Sequence, residues 1–189
     1  DHLQTSMACQ EAIRLFQRRP EVKRVKEFWY MEVPSCTEWK INNAMESFNP
    51  NCYVEVGKEK KPFLTLLAQL IHKGVEVRLI HAKEPGPAFR EDFDKYPVLY
   101  DSLERMLCPR VHFKMLIFDC KEVYIGSANL TGAGIGMKSE DKRNFEAGIL
   151  TDAPSIVEQA MNQFDAVWMG KFCKRCKRRA FCIDPIIAL

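Results

Sequence analysis

The chain has 189 residues, 47% of them hydrophobic and 28% charged, which is the composition of an ordinary globular domain with a substantial core. It lacks an apolar run of the roughly eighteen residues that a membrane-spanning helix needs, and no signal-like segment opens it. We therefore expect a cytoplasmic (intracellular) protein without a membrane segment. A start at Asp1 rather than at methionine leaves room for a removed targeting or anchoring segment.

The net charge of +3 is unevenly distributed. The stretch KFCKRCKRR at 171–179, called here the basic segment, has six basic and no acidic residues, so the rest of the chain carries −3, which is +3 less six. A mildly acidic body with a basic end indicates a local contact with a polyanion. A solvated helix end, where cations complement the helix dipole, is the alternative interpretation.

The first half of the chain predicts alternating helices and strands. Its predicted elements are a helix over 5–19, a strand over 22–33, a short helix with a turn over 34–52, a helix over 61–74 and a strand over 75–82. The helix over 61–74 has the clearest pattern, since Pro62 suits a first turn and Gly74 suits a helix end. A helix followed directly by an apolar strand indicates an α/β layer structure.

The second half continues in the same style. Its predicted elements are a loop over 83–97, a helix over 98–107, a hairpin over 111–130, a strand over 144–152 and a strongly periodic helix over 154–170. We expect residues 1–170 to form one domain, with the cysteine-rich basic residues 171–189 packed on it.

The hairpin VHFKMLIFDCKEVYIGSANL carries polar residues within apolar strands. Strand alternation places His112 and Lys114 on one face, and it also places Ser127 and Asn129 on one face. In an antiparallel hairpin the start of the first strand lies beside the end of the second, so these four side chains gather at one end of the sheet. A short crossing loop would bring Glu146, at the start of the next strand, to the same end.

These side chains suit phosphoryl transfer without a metal. An imidazole acts as a nucleophile or proton carrier near neutral pH. Ammonium, hydroxyl and amide groups donate to the non-bridging oxygens of a phosphoryl group, and a carboxylate can orient the imidazole.

The spacing of the hairpin residues resembles the HxK-x4-D (HKD) signature of the phospholipase D superfamily, including its following Gly-Ser-x-Asn. The matching positions are His112, Lys114, Asp119, Gly126, Ser127 and Asn129. Agreement at six specified offsets is rarely accidental. Asn144 and Glu146 resemble the family's Asn-x-Glu segment. The resemblance implies a mixed β-sheet sandwiched between helices (α/β/α), here with a cysteine-rich basic C-terminal tail.

The resemblance also implies residue roles. Family members attack phosphorus with one histidine, forming a phosphohistidine, and protonate the leaving oxygen with a second. His112 would be the nucleophile or the acid, with Lys114, Ser127 and Asn129 binding phosphate and Glu146 orienting the imidazole. No cofactor is implied for catalysis. The remaining motif positions would be structural: Asp119, which falls at the far turn of the hairpin, Gly126 and Asn144.

The chain contains a single copy of this motif, because His2, His72 and His81 lack the lysine two residues later. Two histidines per site therefore predict a twofold homodimer that shares one site. Single-motif family members are often nucleases, so nucleic acid is the expected substrate. The candidate substrate-binding residues are Lys138, Lys142 and Arg143 in the TGAGIGMKSEDKR loop, and Lys174 and Arg175 in the basic segment.

Two alternative functions differ in class from a nuclease. One is a phospholipid phosphodiesterase or transferase, which would need an apolar or amphipathic membrane-facing segment. The other is a catalytically silent nucleic-acid-binding module, against which the completeness of the motif argues.

Three cysteines form the pattern C-x2-C-x5-C at Cys173, Cys176 and Cys182, and thiolates at such spacing can bind one soft metal ion. We expect Cys36 to be the fourth ligand, with Cys108 as the second choice. The predicted metal is a structural zinc, and an iron–sulfur cluster is the alternative, because the spacing also resembles the cysteines of iron–sulfur nucleases. The other cysteines are expected to be small buried hydrophobic residues.

Overall fold

A six-stranded mixed sheet forms the centre of the protein. The computed structural model describes residues 40–45, 53–56, 59–83, 86–129, 141 and 145–186, with side chains described from Pro62 onward. The strands are β1 (Lys40–Met45), β2 (Tyr53–Val56), β3 (Glu59–Pro62), β4 (Glu76–His81), β5 (Leu103–Leu107), β6 (Lys114–Phe118), β7 (Glu122–Gly126) and β8 (Gly148–Thr151). The helices are α1 (Phe63–His72), α2 (Pro87–Asp94), α3 (Pro97–Ser102) and α4 (Pro154–Trp168).

The sheet has the strand order β5-β4-β1-β6-β7-β8, and β2 pairs separately with β3. One half is parallel, since β1 and β5 both run parallel to β4. The other half is antiparallel from β1 through β8. The antiparallel half contains the hairpin with the polar residues, and it therefore positions the candidate site.

Helices cover both faces of the sheet, which confirms the predicted α/β/α arrangement. On one face Leu116 and Tyr124 of the hairpin pack in a core with α1, α2 and α3. On the other face Met115 and Val123 pack in a second core with α4. Neighbouring residues of a strand point to opposite faces, so the continuous apolar run of β6 fills both cores.

The helix predicted over 61–74 is confirmed as α1. Pro62 is its N-cap residue, and eight of its ten residues are buried. Gly74 follows the helix with a φ of +88°, a left-handed conformation that favours glycine. The backbone N–H of Gly74 donates to Ile71 O at 2.8 Å, which closes the last turn before β4 begins.

The prediction of a short helix within 34–52 is wrong, because Lys40–Met45 is the strand β1. Its sequence, KINNAM, has two central asparagines and low strand propensity. Pairing with β4 on one side and β6 on the other satisfies its backbone groups and overrides that propensity.

Two further predictions between β4 and the hairpin need correction. The expected loop over 83–97 contains α2, which begins at Pro87 and buries Phe89 and Phe93 one turn apart. The expected helix over 98–107 ends at Ser102, after which the chain becomes β5 and pairs in parallel with β4. Tertiary pairing at the sheet edge decides this change.

Four further predictions are confirmed. The strand over 75–82 is β4, the hairpin is β6–β7, the strand within 144–152 is β8, and the helix over 154–170 is α4. The helix and strand predicted within 1–39 lie outside the described residues. Within the described ranges, no helix combines the length and apolar character needed to cross a bilayer. The cytoplasmic location and the division at residue 170 stay predictions.

Candidate active site

The hairpin register brings three chain segments together at one edge of the sheet. Lys114, the first residue of β6, lies opposite Gly126, the last residue of β7. Gly126 in turn lies opposite Gly148, the first residue of β8. His112 immediately precedes β6, Ser127 and Asn129 follow β7, and Glu146 precedes β8. The predicted convergence of these segments is therefore present in the fold.

Hydrogen bonds connect Lys114 directly to His112. The Lys114 side chain is only 6% exposed, whereas His112 is exposed. Lys114 Nζ lies 3.1 Å from His112 Nδ1 and donates to His112 O at 2.8 Å. A buried ammonium thus holds both the ring and the backbone of an imidazole that faces solvent, which limits the orientations open to the ring.

Ser127 and Glu146 connect the end of β7 to the start of β8. Ser127 Oγ donates to Glu146 Oε2 at 2.5 Å and accepts from the backbone N–H of Ala147 at 2.9 Å. The backbone N–H of Ser127 also donates to Ala147 O at 2.8 Å. The carboxylate is therefore held at the same sheet edge as His112. That Glu146 orients the imidazole stays a prediction.

Glycines at positions 126 and 148 make room for a buried tyrosine. A Cβ at Gly126 would overlap the Tyr124 hydroxyl and lie 2.8 Å from Ala147 O. A Cβ at Gly148 would lie 2.7 Å from the same tyrosine ring. Tyr124 is fully buried on the face of the sheet that also carries Lys114. The close approach explains why the motif position 126 is a glycine.

Asp119 lies at the opposite end of the hairpin from His112. Asp119 and Cys120 both have positive φ, of 48° and 56°, and the Lys121 N–H donates to Phe118 O at 2.9 Å. These are the features of a two-residue type I′ turn, a conformation that aspartate tolerates better than most residues. The structural role of Asp119 stays a prediction.

Cys120 is half-buried and disulfide-bonded, so the expectation that it is a small buried hydrophobic residue is wrong. It occupies a turn rather than a core position, which leaves its sulfur accessible to another cysteine.

A surface cleft of about 400 Å³ opens beside His112, and we call it the histidine cleft. Its lining residues are Ala82, Pro109, Arg110, Val111, His112 and Arg178. Two cations therefore flank the candidate nucleophile, and Arg178 belongs to the basic segment. Neither arginine was singled out from the sequence. The basic run was the available signal for Arg178, but nothing in its spacing distinguished Arg178 from its neighbours.

The other predicted site residues lie in the basic segment, in a cavity lined by cysteines or outside the described residues. Lys174 and Arg175 are exposed in a 3₁₀ turn of the basic segment. Cys173, Cys176 and Cys182 line one cavity together with Cys108. The rest lie outside the described residues: Cys36, Lys138, Lys142, Arg143 and Asn144.

Comparisons with known proteins identify the family of this chain. A family model described as "Cardiolipin synthase, PLD-like domain" matches residues 39–168. No curated protein matches the chain. Among solved structures, NucT from Helicobacter pylori has a TM-score of 0.55 and 16% identity, with 86% of this chain and 91% of NucT covered.

Two further solved structures are less similar. Nuc from Salmonella typhimurium, described as a phospholipase D family member, has a TM-score of 0.49 and 20% identity, with 72% of this chain and 81% of Nuc covered. The archaeal chromatin protein TrmBL2 has a TM-score of 0.45 and 15% identity, with 72% of this chain and 45% of TrmBL2 covered. Because the family model spans well over half of the residues, the chain belongs to the phospholipase D superfamily, a family of phosphodiesterases.

Proposed function

We propose that the protein is a metal-independent phosphodiesterase that cleaves nucleic acid through a phosphohistidine at His112. The observation that carries the proposal is the hydrogen-bonded pair His112–Lys114, which lies at the same sheet edge as Ser127 and Glu146. His112 also lines a cleft that contains two arginines. Side-chain cations and hydroxyls can stabilise a phosphoryl transition state, a task that a metal ion performs in other phosphodiesterases.

The reaction would proceed in two displacements. In the first, Nε2 of one His112 forms a bond to phosphorus while the phosphorus–oxygen ester bond breaks. The leaving oxygen takes a proton from the second histidine of the site. In the second, water attacks the phosphohistidine and gives its proton to that second histidine, which releases the phosphate product, frees His112 and restores the imidazolium of the second histidine.

The contact between Lys114 Nζ and His112 Nδ1 indicates where the resting imidazole carries its proton. An ammonium has no lone pair, so Nδ1 would accept in this contact and the ring proton would lie on Nε2. Neither reacting state is this neutral ring. The acid needs protons on both ring nitrogens, because loss of the Nε2 proton from a neutral ring would leave an imidazolate. The nucleophile instead needs a free Nε2 lone pair, and therefore a proton on Nδ1 with a carboxylate such as that of Glu146 to accept it.

Lys114, Ser127 and Asn129 would supply the donors to the phosphoryl oxygens. Lys114 is nearly buried, so its charge is less screened by water than that of a surface lysine. Ser127 Oγ accepts from the backbone N–H of Ala147 and donates its one proton to Glu146, so that proton would have to turn from Glu146 to a phosphoryl oxygen. Asn129 follows Ser127 at the same sheet edge. An ammonium that is already held in place, as in Lys114, needs little rearrangement in the transition state.

The single motif supports a shared site. One chain offers one His112, and the two-step reaction needs two histidines, so we propose a homodimer in which the partner subunit's His112 is the second. A twofold axis near the His112 edge of the sheet would bring both copies together.

Nucleic acid fits the surroundings of His112. Arg110 and Arg178 in the histidine cleft can bind consecutive phosphates of a polyanion. Phe145, next to Glu146, is 86% exposed and could stack on a base.

One observation favours phospholipid as a second candidate substrate. Met169, Phe172, Phe181 and Ile183 are large exposed apolar residues around the basic segment. Apolar side chains among cations are typical of surfaces that bind anionic lipid headgroups.

A substrate panel with EDTA present tests the proposed function. We expect labelled single- or double-stranded DNA or RNA to be cut without added metal, and phosphatidylglycerol vesicles to be left intact. Melting with and without EDTA should accompany the assay, because chelation could unfold a metal-dependent segment. A strict requirement for added Mg²⁺ would contradict the mechanism, and hydrolysis of lipid alone would favour the second substrate.

Arg178→Ala should weaken polynucleotide binding more than Lys177→Ala. Both variants remove one positive charge from the basic segment, but of these two residues Arg178 lines the histidine cleft and Lys177 does not. We expect Arg178→Ala to raise Kd roughly tenfold through a lost charge-assisted hydrogen bond. Lys177→Ala should raise it only about twofold through long-range charge. Equal Kd values for both variants, by fluorescence anisotropy at one salt concentration, would argue against a phosphate contact at Arg178.

A further inference from the structure

A cavity of about 280 Å³ lies on the α4 side of the sheet, and four cysteines contribute to its lining. Cys108 follows directly after β5, whereas Cys173, Cys176 and Cys182 come from the C-terminal segment. All four are free thiols and half-buried. We call this space the cysteine cavity. It is separate from the histidine cleft, although Pro109, Arg110 and Val111 line both.

Hydrogen bonds hold Cys108 beside the C-terminal segment. The backbone N–H of Cys108 donates to His81 O at 2.9 Å, which fixes it at the end of the sheet. The preceding N–H, that of Leu107, donates to Asp184 Oδ2 at 3.0 Å. Because Asp184 is two residues after Cys182, this bond ties Cys182 to the neighbourhood of Cys108.

Two further features bring Cys173 and Cys176 to the same place. A 3₁₀ turn spans Cys173–Arg175, and the Cys176 N–H donates to Cys173 O at 3.2 Å. The guanidinium of Arg110 lies 5.9 Å from the centre of the Phe172 ring. The start of the basic segment is therefore packed against the residues that follow Cys108.

A backbone hydrogen bond positions the Cys182 sulfur within this cavity. The backbone N–H of Asp184 donates to the Cys182 sulfur, and Cys182 lines the same cavity as the other three cysteines. N–H donors to sulfur also stabilise a metal-bound thiolate.

We propose that Cys108, Cys173, Cys176 and Cys182 bind one Zn²⁺ ion in a tetrahedral S₄ site, with Cys108 rather than Cys36 as the fourth ligand. Four zinc–sulfur bonds would form while four S–H bonds break, and the protons would pass to solvent. No redox step is involved.

Binding requires local closure of the cavity. In the described ranges, no group of three or more His, Cys, Asp or Glu side chains is already arranged to bind a metal ion. Zinc–sulfur bonds are about 2.3 Å long, so the sulfurs must converge, by side-chain rotation and by tightening of the two 3₁₀ turns, Cys173–Arg175 and Arg179–Phe181. Short turns with few buried contacts can adjust in this way at modest energetic expense.

The zinc site would fix the basic segment next to the histidine cleft. Arg178 lies between Cys176 and Cys182 and also lines the cleft with His112. A closed site with four protein ligands leaves no position for substrate, so the role is structural. This consequence for substrate binding rests on the proposed function, whereas the metal site itself does not.

Metal content of the full-length protein, purified without chelator, is the first test. We expect about one zinc per chain in the wild type and in Cys36→Ser, and less than about a tenth of an equivalent in Cys108→Ser. Cys36→Ser is the matched control because it removes the thiol that the sequence favoured. Loss of zinc from Cys36→Ser with retention in Cys108→Ser would overturn the assignment, as would iron with acid-labile sulfide in place of zinc.

Thiol protection in the wild type tests the same ligand set without a variant that could misfold. Native protein would be treated with iodoacetamide, with and without prior removal of metal, and each cysteine followed by mass spectrometry. Cys108, Cys173, Cys176 and Cys182 should gain reactivity together, at least about tenfold, when the metal is removed. Reaction of Cys108 at one rate in both states would overturn its role. Zinc content and thiol protection need no substrate, so a failure of the nuclease proposal would leave both readouts intact.

Discussion

His112→Ala is expected to lower phosphodiester cleavage by about 10⁴-fold or more, because it removes the nucleophile and the acid of a shared site at once. The measurement is single-turnover cleavage of a labelled oligonucleotide with EDTA present. A small activated phosphodiester should show the same loss, since the missing group acts on phosphorus rather than on distant parts of the substrate.

The control for this variant is His72→Ala. His72 is exposed at the end of α1, on a different element from the site, so its removal should change the rate less than about twofold. His112 is also exposed, and His112→Ala should therefore leave the melting temperature nearly unchanged. Full activity in His112→Ala would exclude the phosphohistidine mechanism, and comparable losses in both variants would indicate a general effect on the fold.

Mixed dimers should show that the two subunits share one site. If wild-type and His112→Ala subunits are refolded together at one to three, about one dimer in sixteen carries two intact histidines. Activity per total protein should then fall to about one sixteenth of the wild-type value rather than to about one quarter, the result for independent sites. The measurement is the cleavage rate against the mixing ratio.

Two control experiments accompany the mixing experiment. Light scattering should give twice the chain mass for the wild type and for His112→Ala, which shows that both assemble. Mixing in His72→Ala subunits instead should leave the rate in proportion to total protein. A fully active monomer would rule out the shared site and would require the second proton carrier to come from the same chain.

The local features of this protein are readable from its sequence because each depends on near neighbours. The helix α1 follows from its apolar stripe between Pro62 and Gly74, and the hairpin from two apolar runs around a two-residue turn. Strand alternation and antiparallel pairing then bring His112 and Lys114 to the same sheet edge as Ser127. The composition of the candidate site was therefore predictable.

Several elements were decided only by pairing across the fold. Lys40–Met45 has weak strand propensity and becomes a central strand because β4 and β6 flank it. Leu103–Leu107 continues the apolar pattern of a helix, but parallel pairing with β4 makes it β5. Glycine and prolines around 85–87 suggested a loop, whereas burial of Phe89 and Phe93 stabilises α2.

The sequence by itself determined the motif, its spacing and the C-terminal cysteine pattern, since these are properties of neighbouring positions. Only the tertiary structure brought Cys108 to Cys173, Cys176 and Cys182, and Arg178 to His112. Each of these two groups combines a residue between β5 and β6 with residues that follow α4. These segments meet because of the strand order of the sheet and the Leu107–Asp184 hydrogen bond. Contacts between distant segments arise from the packing of whole layers, which no local pattern of residues encodes.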